Sequence, residues 1–228
     1  MDKNDYNSAN TARLKGVIFD TDGVIVNTVP LHFKAWKKMF SEYSRKFTFK
    51  DYELKVDGIP RLSGARAILT DLSGKELKKA ATKKLEYFLQ SLKKEGIQVY
   101  RDTVHLIKSL KKNKIKRAAI SSSKNCLYIL KKIKLNKFFD VIITGNDIKR
   151  GKPHPDIFLL AAKKLKLEPK ECVVVEDAVL GILAAKRAGM KVVGIDRHHR
   201  PARLKKANLV VKNLKKVKLS RLERLLWR

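Results

Sequence analysis

The chain has 228 residues, 44% of them hydrophobic and 7% aromatic, which supplies a packed core and excludes a disordered or collagen-like chain. Lys and Arg number 53 against 22 Asp and Glu, a formal charge of +31 that attracts polyanions and small phosphorylated molecules without sequence selectivity. No run approaches the ~18 apolar residues of a membrane span, and the polar start MDKNDYNSANTARLK lacks the apolar centre of a signal peptide, so a soluble, cytoplasmic protein with no membrane partner is expected.

In chain order, Gly16-Val17-Ile18-Phe19 is a short apolar run that ends at Asp20 and is followed at once by the turn signal Asp22-Gly23. This is the pattern of a buried strand that delivers acidic residues to its carboxyl end. From about Pro30 to Glu95 the period is helical, with Phe33, Trp36, Met39 and Phe40 on one face and Leu85, Phe88, Leu89 and Leu92 on another. Then follow a helix over 102–112, a strand over 117–121, a helix over 124–135, a strand over 140–144, a helix over 156–165, a strand over 172–175, a helix over 178–188 and a strand over 191–195. Leu209-Val210-Val211 reads as an edge strand and 219–227 as a closing helix. Such alternation predicts an α/β fold: a Rossmann-like parallel sheet with helices on both faces, formed by residues 1–27 and 97–228, with 28–96 inserted as an all-helical domain. Ligands of open parallel sheets sit beyond the carboxyl ends of the strands.

Those strand ends carry the chemistry. Asp20-Thr21-Asp22-Gly23 puts two carboxylates two residues apart; one can attack phosphorus while the other protonates a leaving oxygen. The same pattern occurs in plain turns and calcium loops, and its place directly after a strand favours catalysis. Ser121-Ser122-Ser123-Lys124-Asn125 offers hydroxyls and backbone N–H groups at the start of a helix, which suits a phosphate cradle or an N-cap. Lys152, between Gly151 and Pro153, is placed to neutralise a phosphoryl group, and Glu176-Asp177 at the end of Cys172-Val173-Val174-Val175 calls for a cation nearby. Magnesium, which takes one or two carboxylates plus substrate phosphate, is the natural candidate.

This succession resembles the haloacid dehalogenase superfamily of phosphotransferases, over almost the whole chain. The resemblance implies Asp20 as nucleophile and magnesium ligand, Asp22 as general acid and base with its backbone carbonyl on the metal, Ser121, Ser122 and Lys152 on the phosphoryl oxygens, and Glu176 and Asp177 completing the metal site. The inserted helices then correspond to the family's mobile cap. Asn27-Thr28-Val29-Pro30-Leu31-His32 and Val56-Asp57-Gly58-Ile59-Pro60-Arg61, with Glu176-Asp177-Ala178 and Gly181, resemble the β-phosphoglucomutase-like subfamily. That likeness implies Thr28 and His32 in proton transfer and closure, and Arg61 on the substrate's non-reacting phosphate. On the residues alone, a guanidinium at Arg61 suits bidentate phosphate binding, with a surface arginine in a Gly-Pro turn as the other reading, and His32 also reads as a packing residue beside Phe33 and Trp36. Lys84 stands for a cap lysine and Asn125 is counted with the substrate contacts, but Leu85 replaces the mutases' asparagine. Simple hydrolysis needs fewer cap contacts, so a phosphatase acting on a small sugar phosphate or related metabolite is expected, with β-phosphoglucomutase as the alternative.

The basic excess also admits a nucleic-acid-associated protein on a reused enzyme fold. Against it, most lysines come as pairs such as Lys78-Lys79, Lys111-Lys112 and Lys163-Lys164 in helical segments, the pattern of solvated faces, and no finger, basic tail or aromatic-interleaved pattern is present. Nonspecific binding at low salt is expected, sequence-specific binding is not, and a monomer is the default. Cys126 and Cys172 have no metal-ligand spacing and permit at most one disulfide, as in a reducing compartment.

Overall fold

In the computed structural model, which describes residues 13–227, strand β1 (Gly16–Asp20) is buried along its whole length. The polar start of the chain, apart from its last three residues, lies outside the described residues. β1 pairs on one side with β2 (Lys116–Ile120) and on the other with β4 (Cys172–Glu176). With β3 (Val141–Ile143), β5 (Lys191–Ile195) and β6 (Leu209–Val211) they form a six-stranded sheet in the order β3-β2-β1-β4-β5-β6, every pair parallel. The chain builds outward from β1 in one direction and then returns to its other flank, so a crevice opens where the order reverses, above the carboxyl end of β1.

Alternation along β1 feeds two apolar layers. Val17 and Phe19 face a layer built with α5 (Arg101–Lys112), α6 (Cys126–Lys132) and α9 (Leu219–Leu226). Ile18 faces the opposite layer, built with α7 (Asp156–Leu165) and α8 (Val179–Arg187). Both predicted late elements, the edge strand and the closing helix, are present. The predicted 124–135 helix is shorter, because Ser123 Oγ accepts from the Asn125 amide in a turn before it and Lys134 turns left-handed (φ 56°) after it.

Between β1 and α5 lie α1 (Val29–Ser41), a one-turn helix α2 (Phe49–Asp51) running into a wider π turn over Tyr52–Val56, α3 (Arg61–Arg66) and the long α4 (Gly74–Glu95). A capping box between Ser73 and Glu76 starts α4. Trp36, Met39 and Phe40 are buried in a cluster of this helical segment's own. Leu31, Ala35, Phe88 and Leu92 join the layer above β1, tying the segment to the sheet. Leu89, expected on the buried face, is 38% exposed. Both cysteines are free and buried, and burial pushes the Cys172 thiol up to about 12. Among the described residues no helix is long and apolar enough to cross a membrane.

Candidate active site

A cavity of about 580 Å³ lies over the carboxyl ends of β1, β2 and β4, roofed by the helical segment. Parallel register sets its floor: Asp20 pairs with Ile120, the residue before Ser121, and Phe19 pairs with Val175, the residue before Glu176. Lys152 reaches the same point from the loop after β3, its Nζ 2.6 Å from Asp20 Oδ1 and 2.7 Å from Glu176 Oε2. All three side chains are buried. Glu176 also accepts from the Ala178 amide, and Gly181 leaves it room, since a Cβ there would lie 2.1 Å from the Glu176 carboxyl carbon.

One lysine does not balance the acids. Asp20, Glu176 and Asp177 present carboxylate oxygens within 4.8 Å of one another. Burial and the charge of Glu176 raise the Asp20 carboxyl well above its ordinary range despite Lys152. Burial, Asp57, Glu176 and Asp20 do the same to Asp177, while the charges of Asp20 and Glu176 outweigh burial and keep Lys152 protonated. Closely spaced hard oxygen donors with surplus negative charge fit a small divalent cation.

Asp22 is not in this group. Its side chain turns the other way, accepting from Thr28 and, at 2.8 Å, from Ser121 Oγ, with His32 Nε2 3.3 Å from Oδ1. Burial would raise its carboxyl, but the hydrogen bond and charge of His32, with the bonds from Thr28 and Ser121, hold it well below the usual range. His32 Nδ1 in turn lies 2.7 Å from Lys84 Nζ, and its ring stacks on Phe88 with centroids 4.1 Å apart. Burial, then the Lys84 charge, lower the His32 pKa, while the hydrogen bond and charge of Asp22 oppose them. Thr28, His32 and Lys84 thus act on Asp22 as one chain of contacts rather than as separate points of the cavity wall.

The serine cluster divides its work. Ser121 Oγ accepts from the Ser123 amide while donating to Asp22. Ser122, expected on a phosphoryl oxygen, instead donates to the Gly58 carbonyl at 2.7 Å and so ties the sheet to the helical segment. Asn125 lines the cavity at the start of α6. Arg61 lines it from the roof, and its buried Nη1 has no hydrogen-bond partner among the described residues.

Several wall residues escaped the sequence reading. Asp57, directly after the π turn, is driven up to about 7 by burial and the charge of Glu176, against the pull of Arg203. Tyr52, whose carbonyl accepts from the Asp57 amide at 2.9 Å, stands beside it in the lining. Trp36 and Lys78 line the roof too, and no local pattern distinguishes either from an ordinary helix residue.

The family model for haloacid dehalogenase-like hydrolases matches residues 17–195. A phosphorylated carbohydrates phosphatase of Thermotoga maritima is 33% identical over 182 residues, covering 78% of this chain and 83% of that protein. A β-phosphoglucomutase of Bacillus subtilis is 33% identical over 191 residues, 80% of this chain and 83% of that one. The crystal structure of a β-phosphoglucomutase from Clostridium difficile superposes with a TM-score of 0.85 at 31% identity, covering 93% of this chain and 97% of that one.

Proposed function

Because the chain belongs to the haloacid dehalogenase-like hydrolase family, we propose that it is a phosphatase that hydrolyses a small sugar phosphate or related monoester through an aspartyl-phosphate on Asp20. The observation that carries this is the contrast between Asp20 and Asp22. Two carboxylates two residues apart stand in opposite environments, one among cation-binding groups and one in a cage of hydrogen-bond donors. Such a pair divides nucleophile from acid and base.

Asp20 attacks phosphorus, and Lys152 stays charged beside the phosphoryl oxygens as their negative charge redistributes. The Ser121 hydroxyl positions Asp22, which protonates the leaving oxygen and then takes a proton from the water that hydrolyses the acyl phosphate. The hydrogen bonds now on Asp22 favour its ionised form, the one that second step needs. Asp20, Glu176 and Asp177 would hold magnesium, together with the Asp22 backbone carbonyl that the resemblance implies. Bound there, the ion supplies charge neutralisation for the transferring group. Residues 28–96 act as a cap, in which Thr28, His32 and Lys84 set the state of Asp22 and Arg61 offers its unpartnered Nη1 to an anionic or hydroxylated substrate.

Leu85 lines the cavity where a mutase carries a polar side chain, which favours hydrolysis. The likeness to mutases keeps β-phosphoglucomutase as the second reading. The deciding experiment supplies β-glucose 1-phosphate, magnesium and a trace of glucose 1,6-bisphosphate, and follows glucose 6-phosphate and free phosphate together. Free phosphate supports the phosphatase, to be followed by a sugar-phosphate panel. Glucose 6-phosphate alone makes it the mutase, and turnover retained in Asp20→Asn overturns both.

A further inference from the structure

Between Asp102 and Asp140 the sequence holds 10 lysines and 1 arginine without one Asp or Glu. The arginine, Arg117, is buried and paired with Asp140, whereas every one of these lysines is exposed. The fold concentrates them. α5, α6 and α7 run from the carboxyl edge of the sheet back to its amino edge, as the return helices of parallel strands must. All three end in the same pattern of two lysines, one other residue and a lysine, at 111–114, 131–134 and 163–166. The end of α7 lies against the start of β2, where Lys116 Nζ donates to the Leu165 carbonyl at 2.6 Å. The three clusters therefore gather at the amino edge of the sheet, on the far side from the cavity.

Two features set these lysines apart from ordinary solvated helix faces. The last lysine of each cluster has left-handed backbone, φ 58° at Lys114 and 56° at Lys134 and Lys166, where glycine or asparagine is the less strained choice. A single cation near a helix end answers the helix dipole, and these ends carry three apiece. Of the nine lysines only Lys164 has an acidic partner among the described residues, Asp147 at 3.7 Å. Of the neighbouring acids, Asp140 and Glu171 are engaged by Arg117 and Lys15, leaving Glu168.

We propose that this edge docks the phosphodiester backbone of a nucleic acid without reading its sequence, leaving the cavity free. Lysine suits that task, being a point charge on a flexible stem, and phosphate contacts hold a strand without carrying base information. The clusters contain no aromatic residue and no arginine, the anchors of protein interfaces, which disfavours an acidic protein as the occupant.

The test is fluorescence anisotropy of a labelled single-stranded oligonucleotide titrated with the full chain at two salt concentrations. If about four phosphates are engaged, affinity falls roughly 50-fold between about 50 and about 200 mM salt. An edge variant replaces Lys111, Lys112, Lys114, Lys131, Lys132 and Lys134 by Gln. A control variant makes the same charge change at the exposed Lys75, Lys79, Lys93, Lys94, Lys205 and Lys206. The edge variant is expected to lose affinity at least about tenfold and to show a shallower salt slope, with the control within about twofold of the parent. Circular dichroism and phosphate release should be unchanged in both. Equal losses in the two variants would overturn the proposal in favour of diffuse charge. Displacement of the strand by poly-glutamate at a lower charge concentration than by unlabelled oligonucleotide would overturn it in favour of an acidic protein.

Discussion

Gly23 and Asp177 share a space that exists only because glycine has no side chain: a Cβ at Gly23 would lie 1.8 Å from Asp177 Oδ2, and φ there is +80°. Gly23→Ala therefore meets two penalties, left-handed strain and displacement of a carboxylate in the buried acidic cluster. A shift of that kind costs a reaction roughly 100-fold, so kcat is expected to fall by about that factor while far-UV circular dichroism stays native. Steady-state kinetics on the substrate found in the panel checks this, and near-parent kcat would mean that the Asp177 position is not critical.

Asp20→Asn should abolish turnover and, in chelator, raise the melting temperature. Burial and Glu176 hold the Asp20 carboxyl above its ordinary range, so its ionised form costs stability at neutral pH, where the unfolded chain ionises it freely. Removing the charge leaves Lys152 paired with Glu176. Each kcal/mol relieved is worth about 2–4 °C in a chain of this size. A lower melting temperature by scanning fluorimetry would show that the contact with Lys152 outweighs the repulsion.

Magnesium should stabilise the protein in proportion to its binding. At a hundredfold excess over Kd the gain is about 2.7 kcal/mol. Asp177→Asn, which removes one of the three clustered carboxylates, should lose most of that gain while its melting temperature in chelator is kept or raised. Thermal melts across a magnesium titration decide it, and an unchanged response in the variant would remove Asp177 from the ligand set.

Much of this arrangement was legible in the sequence because parallel strands convert linear position into spatial position. Asp20, Ser121 and Glu176 each stand at the end of an apolar run, and register brings such ends together. Lys152 was legible through its Gly-Pro bracket. What stayed hidden depends on side-chain direction and long-range packing. Nothing local says that Asp22 turns to Thr28 and His32 while Asp20 turns to Lys152, or that Ser122 is taken by a carbonyl 64 residues away. Asp57 stands in a segment that carries only the family resemblance, and its exposure to the charge of Glu176 follows only from how the helical segment closes on the sheet.

Glu53 is another long-range feature with a measurable consequence. Its side chain, 6% exposed in the π turn, receives Arg200 at 3.0 Å and Arg203 at 2.6 Å from the loop after β5. Glu53→Gln removes the charge that both guanidiniums face, with an expected loss of about 1.5–3 kcal/mol. High salt should do little to this contact and should weaken the open Lys34–Glu95 pair, whose side chains are 57% and 39% exposed. Urea midpoints at low and high salt test both statements. A variant as stable as the parent would show that the contact contributes no net stability.

Lys84 should make stability depend on pH in a direction opposite to that of an ordinary ion-paired lysine. It is 5% exposed, with Nζ over the rings of Trp36 and Phe88 and 2.7 Å from His32 Nδ1. Burial brings its pKa down to about 7, with Asp22 opposing and Arg61 adding to the shift. In the unfolded chain the group titrates near about 10.4. Between those two values the unfolded state binds a proton that the folded state lacks, so this residue's contribution to stability rises with pH. Below the folded value both states are protonated and the penalty is present in full. Lys84→Met abolishes the titration in apolar surroundings that accept methionine. The variant should therefore exceed the parent most at about pH 6, with the gap closing toward about pH 10. Loss of the +31 surface charge at high pH affects both proteins equally and cancels in the comparison. Parallel stability curves from urea unfolding would show that Lys84 titrates in the fold as it does in water.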